Sequence, residues 1–127
     1  MADKKDARKI DVGKEGEKIA ADYLKKNGYR IDEVNYRCPI GEIDIIARDK
    51  KDLVFVEVKS RKSDALGYPE EAVGCKKQAK MSQLALWYLQ EKKLNGACAR
   101  FDVVAIRTLP TGQDIRLIKN AFDFVSS

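Results

Sequence analysis

The sequence predicts a single α/β domain in which a mixed central sheet is flanked by two main helices, and three observations carry that prediction. The chain has 127 residues, a length that buries one core and leaves little for a second. Helical and strand periodicities alternate along it in the order helix, strand, hairpin, long loop, helix, strand, strand, with no internal repeat. Apolar residues make up 44% and charged residues 35%, the balance of a globular chain with a busy surface and not of a disordered or membrane-embedded one.

Residues 1–10 are dense in charge and read as a flexible tail, which leaves 11–127 as the domain. From Asp11, a candidate N-cap, the sequence DVGKEGEKIAADYLKKNGYR reads as a helix that stops at Asn27-Gly28. Its inward stripe is Gly13, Glu17, Ala20, Ala21 and Leu24. RIDEVNYR reads as a strand, closed by the break Cys38-Pro39-Ile40-Gly41. The segments 42–48 and 53–59, EIDIIAR and LVFVEVK, are rich in Ile, Val and Phe and are separated by the polar turn Asp49-Lys50-Lys51-Asp52, so they form a hairpin. That turn places Arg48 opposite Leu53, Ile46 opposite Phe55, Asp44 opposite Glu57 and Glu42 opposite Lys59. One face of the hairpin is then apolar, with Ile43, Ile45, Ala47, Val54, Val56 and Val58; the other ends in Glu42, Asp44, Glu57 and Lys59. Residues 60–74 read as a loop long enough to have a role of its own. A second helix runs from about 73 to Leu94, stopped by Asn95-Gly96, with Val73, Lys77, Met81, Leu84 and Tyr88 inward. RFDVVAI is a further strand, and TGQD turns into an edge strand, IRLIK.

Composition excludes several chemistries. The chain has no histidine, which removes Ser-His-Asp triads, Cys-His pairs, imidazole bases and zinc sites built on imidazole. Its three cysteines, Cys38, Cys75 and Cys98, are widely spaced and contain no CxxC pair, so neither a disulfide framework nor a zinc knuckle is signalled and a reducing cytoplasm fits. No run approaches the roughly 18 apolar residues of a membrane span, and no membrane is expected as a partner. A net charge of +5 favours an anionic partner, nucleic acid first.

What remains is carboxylate and lysine chemistry, and the hairpin supplies it. Asp44 and Glu57 facing each other across two strands repel, because like charges directly opposite destabilise a sheet. A hard divalent cation such as Mg2+ offsets that repulsion with two carboxylates, a backbone carbonyl and waters. Lys59, two residues beyond Glu57, then stands where an ammonium positions a water or stabilises charge on a phosphate oxygen. An exposed strand end with Glu42, Glu57 and Lys59 as ordinary solvated charges accounts for the spacing equally well. Two further residues tilt the balance: Glu17 interrupts the apolar stripe of the first helix and Lys77 that of the second. Each aims one ionisable group at the sheet, and burying such groups unpaired is expensive.

The segments GEKIAADYL, VNYR, GEIDIIA, LVFVEVKSR, Gly67-Tyr68-Pro69-Glu70-Glu71-Ala72-Val73 and RFDVV together resemble the YraN family of uncharacterised bacterial proteins, also called UPF0102, over residues 12 to about 124. Asp44 followed by Glu57-Val58-Lys59 also resembles the pattern of the PD-(D/E)xK nuclease superfamily, which includes archaeal Holliday junction resolvases. That resemblance implies a restriction-endonuclease-like fold and a Mg2+- or Mn2+-dependent endonuclease that hydrolyses phosphodiesters in DNA, with branched or structured DNA as a candidate substrate. By position it implies that Asp44, Glu57 and the Val58 carbonyl are metal ligands, that Lys59 is the catalytic lysine, and that Glu17 is a helix-borne acid beside the metal. It also allows a homodimer, since junction resolvases of this superfamily act as dimers. Ile43 stands where the superfamily name has proline, and Ser60 and Gly74 where threonine is usual.

Arg37, Arg61, Lys62, Lys76, Lys77 and Lys80 are candidate phosphate contacts, a sequence-independent role that makes binding salt-dependent. Each of them also fits a solvated basic surface. Tyr36 and Tyr68 are weighed as base-stacking residues against packing residues, Trp87 is placed in the core or a helix interface, and Arg100 and Asp102 share a face and pair. Gly13 and Gly16 either allow close approach of the helix backbone or mark a frayed turn. Two alternatives to the nuclease are carried: a non-catalytic nucleic-acid-binding module on the same fold, and a protein-interaction domain.

Overall fold

In the computed structural model, which describes residues 4–62 and 73–125 and the side chains within 15–61 and 73–125, two helices and five strands follow in the expected order. They are α1 (Lys4–Lys26), β1 (Arg30–Cys38), β2 (Gly41–Asp49), β3 (Asp52–Lys62), α2 (Cys75–Glu91), β4 (Ala99–Leu109) and β5 (Gly112–Phe122). The strands form one sheet in sequence order. β1, β2 and β3 pair antiparallel, β3 and β4 pair parallel, and β5 returns antiparallel along the outer edge of β4. A parallel pair needs a long crossover, and α2 is that crossover. The fold is therefore mixed α/β and consistent with the restriction-endonuclease-like architecture expected.

Strand alternation divides the core between the helices. Leu53 and Phe55 pack under α2 with Met81, Leu84, Ala85, Tyr88 and Leu89. Val54 and Val56 face the other way, under Ala20, Ala21 and Leu24 of α1. The small residues at 20 and 21 let α1 lie close to the sheet, and Gly16 continues that approach. A Cβ there would stand 3.2 Å from Ser60 Oγ, so the glycine serves close packing of α1 on the end of β3.

Several boundaries differ from the expectation. α1 begins at Lys4 and not at Asp11; the preceding Lys, Asp, Ala and Arg contain no breaker, so helical propensity carries through the expected cap. Its end is as expected, with Gly28 at φ +90 and the Tyr29 N–H bonded back to Leu24 at 3.0 Å. β3 runs on to Lys62, shortening the expected loop, of which 63–72 lies outside the described residues. α2 ends at Glu91, short of Leu94, because Lys93 adopts the left-handed conformation expected of Gly96, and the Leu94 N–H returns to Leu89 at 2.7 Å. Gly112 already belongs to β5, so the turn is tighter than TGQD. Trp87 is exposed, on the outer side of α2.

The hairpin register holds in part. Arg48–Leu53, Ala47–Val54, Ile46–Phe55 and Ile45–Val56 pair as expected, and Asp49–Asp52, expected in the turn, extend the ladder by one pair, whereas Asp44–Glu57 and Glu42–Lys59 are not partners in it. Here β2 changes course. Ile43 packs on the α2 face while Ile45 packs on the α1 face, so the period of two breaks at Asp44. The neighbouring strand breaks at the same level, where Asn35 has φ 57. Ile43 is thus removed from the apolar face assigned to it, and β2 parts from β3 just where the acidic residues begin.

Candidate active site

The parting of β2 and β3 leaves backbone groups of β3 to be satisfied by something other than a strand. Asp44 does this: its Oδ2 accepts the Val58 N–H at 2.8 Å. The N–H and carbonyl of one residue in an extended strand point to the same side, so the Val58 carbonyl is directed into the same gap as the Asp44 carboxylate. Asp44 is thus tied to β3 through a side-chain-to-backbone bond to Val58 and not through a ladder position opposite Glu57.

Glu57 follows Phe55 on the α2 face and is only 8% exposed. Two ammonium groups offset its charge at the same oxygen, Oε1: Lys77 Nζ at 3.5 Å and Lys59 Nζ at 3.8 Å. Lys77, whose place in the α2 stripe broke the apolar pattern, thus reaches the sheet as expected. Burial pushes both carboxyls above their ordinary values. For Asp44 the Val58 N–H and then the Lys77 charge work against burial, and for Glu57 the Asp44 charge adds to burial while Lys77 and Lys59 oppose it. Raised carboxyl pKa values caused by desolvation mean that the ionised pair is held at a cost in stability.

The other candidates are more dispersed. Glu17 belongs to the helix on the opposite sheet face and lines a groove between α1 and β1 with Ala21, Lys25 and Val34. Among the described residues, no three acidic or cysteine side chains gather into a metal-holding group, so Glu17 does not join Asp44 and Glu57 as a third carboxylate. Arg37 of β1 pairs with Glu42 of β2 at 3.5 Å, both exposed, beside the turn that joins the two strands. Arg61, Lys76 and Lys80 are exposed, and the Lys80 stem lies near Gly41, whose φ of +149 and close approach to Leu84 suit a residue without a Cβ. The Lys62 side chain and Tyr68 lie outside the described residues. Tyr36 is a packing residue, edge-on to Tyr88 with centroids 5.1 Å apart and its hydroxyl on Glu91 at 3.0 Å.

The sequence family of the chain is decided by direct comparison. The model of the uncharacterised protein family UPF0102 matches residues 16–106. The chain belongs to UPF0102. Among the relatives of this UPF0102 chain, a UPF0102 protein of Syntrophus aciditrophicus is 57% identical over 114 residues, 90% of either chain. One from Thermodesulfovibrio yellowstonii is 49% identical over 90% of this chain and 97% of its own. One from Syntrophotalea carbinolica is 44% identical over 91% and 94%. The matched span runs from the second half of α1 into β4, and so contains Asp44, Glu57, Lys59 and Lys77.

Sequence reasoning missed most of a second charged cluster, at the opposite end of the hairpin of this UPF0102 chain. Asp102 is fully buried and accepts hydrogen bonds from Tyr29 Oη at 2.7 Å, Arg100 Nε at 3.0 Å and the Asn120 N–H at 2.9 Å. The Arg100 fork also bridges Asp49 and Asp52, each at 2.7 Å. Those two aspartates are ladder partners, so Arg100 offsets the cross-strand repulsion that the lysines offset at the other end. The pairing of Arg100 with Asp102 was legible from their alternation; the contributions of Tyr29, Asp49 and Asn120, distant in sequence, were not. Among the described residues, no helix is long and apolar enough to cross a membrane.

Proposed function

We propose that this chain is a Mg2+- or Mn2+-dependent nuclease that hydrolyses phosphodiester bonds in DNA, with branched or structured DNA as the substrate class to test first. The observation that carries the reading is the Asp44 carboxylate bonded to the Val58 N–H at 2.8 Å beside the nearly buried Glu57. Hydrogen bonding to Val58 fixes one Asp44 oxygen and orients the other, while the Glu57 carboxylate and the Val58 carbonyl add hard oxygen donors of the kind that Mg2+ and Mn2+ accept. These three groups fit a divalent ion that keeps several waters as ligands. A divalent ion bound there supplies charge neutralisation at the phosphodiester and lowers the pKa of a bound water.

The chain's own residues supply the rest. Lys59 lies on the Glu57 side of the sheet, its ammonium within reach of a phosphate oxygen or attacking water held beside the carboxylates. Arg61 extends the exposed end of the same strand, and Lys76 and Lys80 carry exposed charge along α2, a surface that meets the phosphate backbone without reading bases. The lysines that neutralise Glu57 also favour the second reading, a nucleic-acid-binding module on the same fold that needs no ion.

The experiment is a cleavage panel of single-stranded, duplex, flap and four-way DNA with Mg2+ or Mn2+, run beside Lys59→Ala, with Mn2+ binding to the wild type and Asp44→Ala followed by calorimetry. Saturable binding abolished in Asp44→Ala, with cleavage lost in Lys59→Ala, supports the nuclease. DNA affinity that falls steeply with salt but without cleavage under any divalent ion leaves the binding module.

A further inference from the structure

Lys77 is oddly placed for a surface lysine. It stands in the first turn of α2, where the helix dipole disfavours a cation, and that turn contains no acidic residue and starts at Gly74 without a side-chain cap bond. Its ammonium is nevertheless drawn inward to Glu57 Oε1 at 3.5 Å, onto the oxygen that also faces Lys59. Two monovalent cations sharing one carboxylate oxygen beside a second carboxylate is a charge count that a single divalent ion also satisfies. We infer that Lys77 is the resident counter-ion of the carboxylate pair: in the metal-free protein its ammonium holds the place in the charge balance that a divalent ion takes, and it turns outward when that ion binds. The inference rests on the nuclease reading for the ion itself.

Geometry selects Lys77 over Lys59 as the mobile partner. Lys59 is held by a β3 backbone paired to Ala105 of β4 in the middle of the parallel ladder. Its side chain is 28% exposed, against 43% for Lys77, which reaches in from a helix end. Once Glu57 no longer needs it, Lys77 stands at an open helix N-terminus with Lys76 and Lys80 exposed beside it. That setting suits a phosphate oxygen. The same side chain then couples occupancy of the metal site to grip on the DNA backbone, so that substrate is held most firmly when the ion needed for hydrolysis is in place.

The test measures Mn2+ binding by calorimetry in the wild type, Lys77→Met and Lys80→Met, with thermal unfolding of each in EDTA and in saturating Mn2+. Methionine keeps the stem of the lysine and removes its charge. Competition at one position predicts that Lys77→Met binds Mn2+ about tenfold more tightly than the wild type, an ammonium 3.5 Å from a ligand atom having been removed. The more distant Lys80→Met gains no more than about threefold from reduced general repulsion. The Lys77→Met protein is also expected to melt lower than the wild type in EDTA and to gain more from Mn2+. Equal gains in the two variants, or weaker Mn2+ binding in Lys77→Met, overturn the counter-ion role while leaving the nuclease reading standing. No saturable Mn2+ binding by any of the three proteins overturns the nuclease reading and this inference with it.

Discussion

Replacing Arg100 by methionine keeps most of the side-chain stem and removes the guanidinium that ties three aspartates together. The cost concentrates at Asp102, which is fully buried. It retains hydrogen bonds from Tyr29 Oη and the Asn120 N–H but loses both Arg100 contacts, at 3.0 and 3.2 Å, and with them its cation. Breaking a buried pair from one side costs about 3–5 kcal/mol, and the two surviving bonds place Arg100→Met near the lower end, about 3 kcal/mol. Asp49 keeps Lys119 at 3.4 Å, and the Asp52 side chain is 43% exposed, so water screens most of their renewed repulsion. For a domain of this length about 3 kcal/mol lowers Tm by roughly 10 °C. Urea unfolding at pH 7 measures the loss, and Arg100→Met combined with Asp102→Asn, which removes the stranded charge, is expected to recover about half of it. A loss below about 1 kcal/mol, or no recovery in the double variant, refutes the account of Arg100 as the offset for a buried charge.

Three further outcomes follow from the same contacts. With divalent ions chelated, stability is expected to rise slightly as pH falls from neutral, because burial raises the folded-state pKa of Asp44 and Glu57 and the folded protein takes up protons first. It then falls below about pH 4, as Asp49, whose carboxyl Arg100 holds below its ordinary value, is protonated; urea midpoints across pH, with Asp44→Asn abolishing part of the rise and Asp49→Asn part of the fall, check both signs. Gly41→Ala forces a Cβ into a backbone of φ +149 against Leu84 at 3.3 Å and is expected to cost about 1–3 kcal/mol; a urea midpoint equal to that of the wild type counts against it. Ser82, fully buried, donates to the Gln78 carbonyl and accepts the Val125 N–H, each at 2.9 Å. Ser82→Ala is expected to cost about 1 kcal/mol and to speed hydrogen exchange at Val125, whereas unchanged exchange there argues against a tether.

Much of this was legible in the sequence. β2 and β3 announce themselves because β-branched residues alternate across two buried faces, and their register near the turn follows once two residues connect Asp49 to Asp52. The ends of helices were less legible. A cap or a glycine is a local preference worth about 1 kcal/mol, so α1 runs through Asp11 and α2 stops at Glu91, ahead of the Asn95-Gly96 signal. Trp87 was placed inside by its size, but the apolar stripe of α2 is filled by Met81, Leu84, Ala85, Tyr88 and Leu89, leaving its outer face to Trp87.

By itself the sequence determined the chemistry available to this protein: no imidazole, two carboxylates thirteen residues apart on neighbouring strands, and a lysine two places beyond the second. It also determined that a lysine would break the apolar face of the second helix. Only the tertiary structure decided how those groups meet. A strand alternates strictly while its ladder is intact, and Asp44 lies where β2 leaves β3, so its partner is the Val58 N–H and not Glu57. Glu57 is joined instead by Lys77, twenty residues along the chain and on another element, because parallel pairing of β3 with β4 requires α2 to cross back over that face of the sheet. Glu17 stays on the other face because Ala20, Ala21 and Leu24 commit α1 there, a choice set by which apolar surfaces bury together and not by where a carboxylate would be useful.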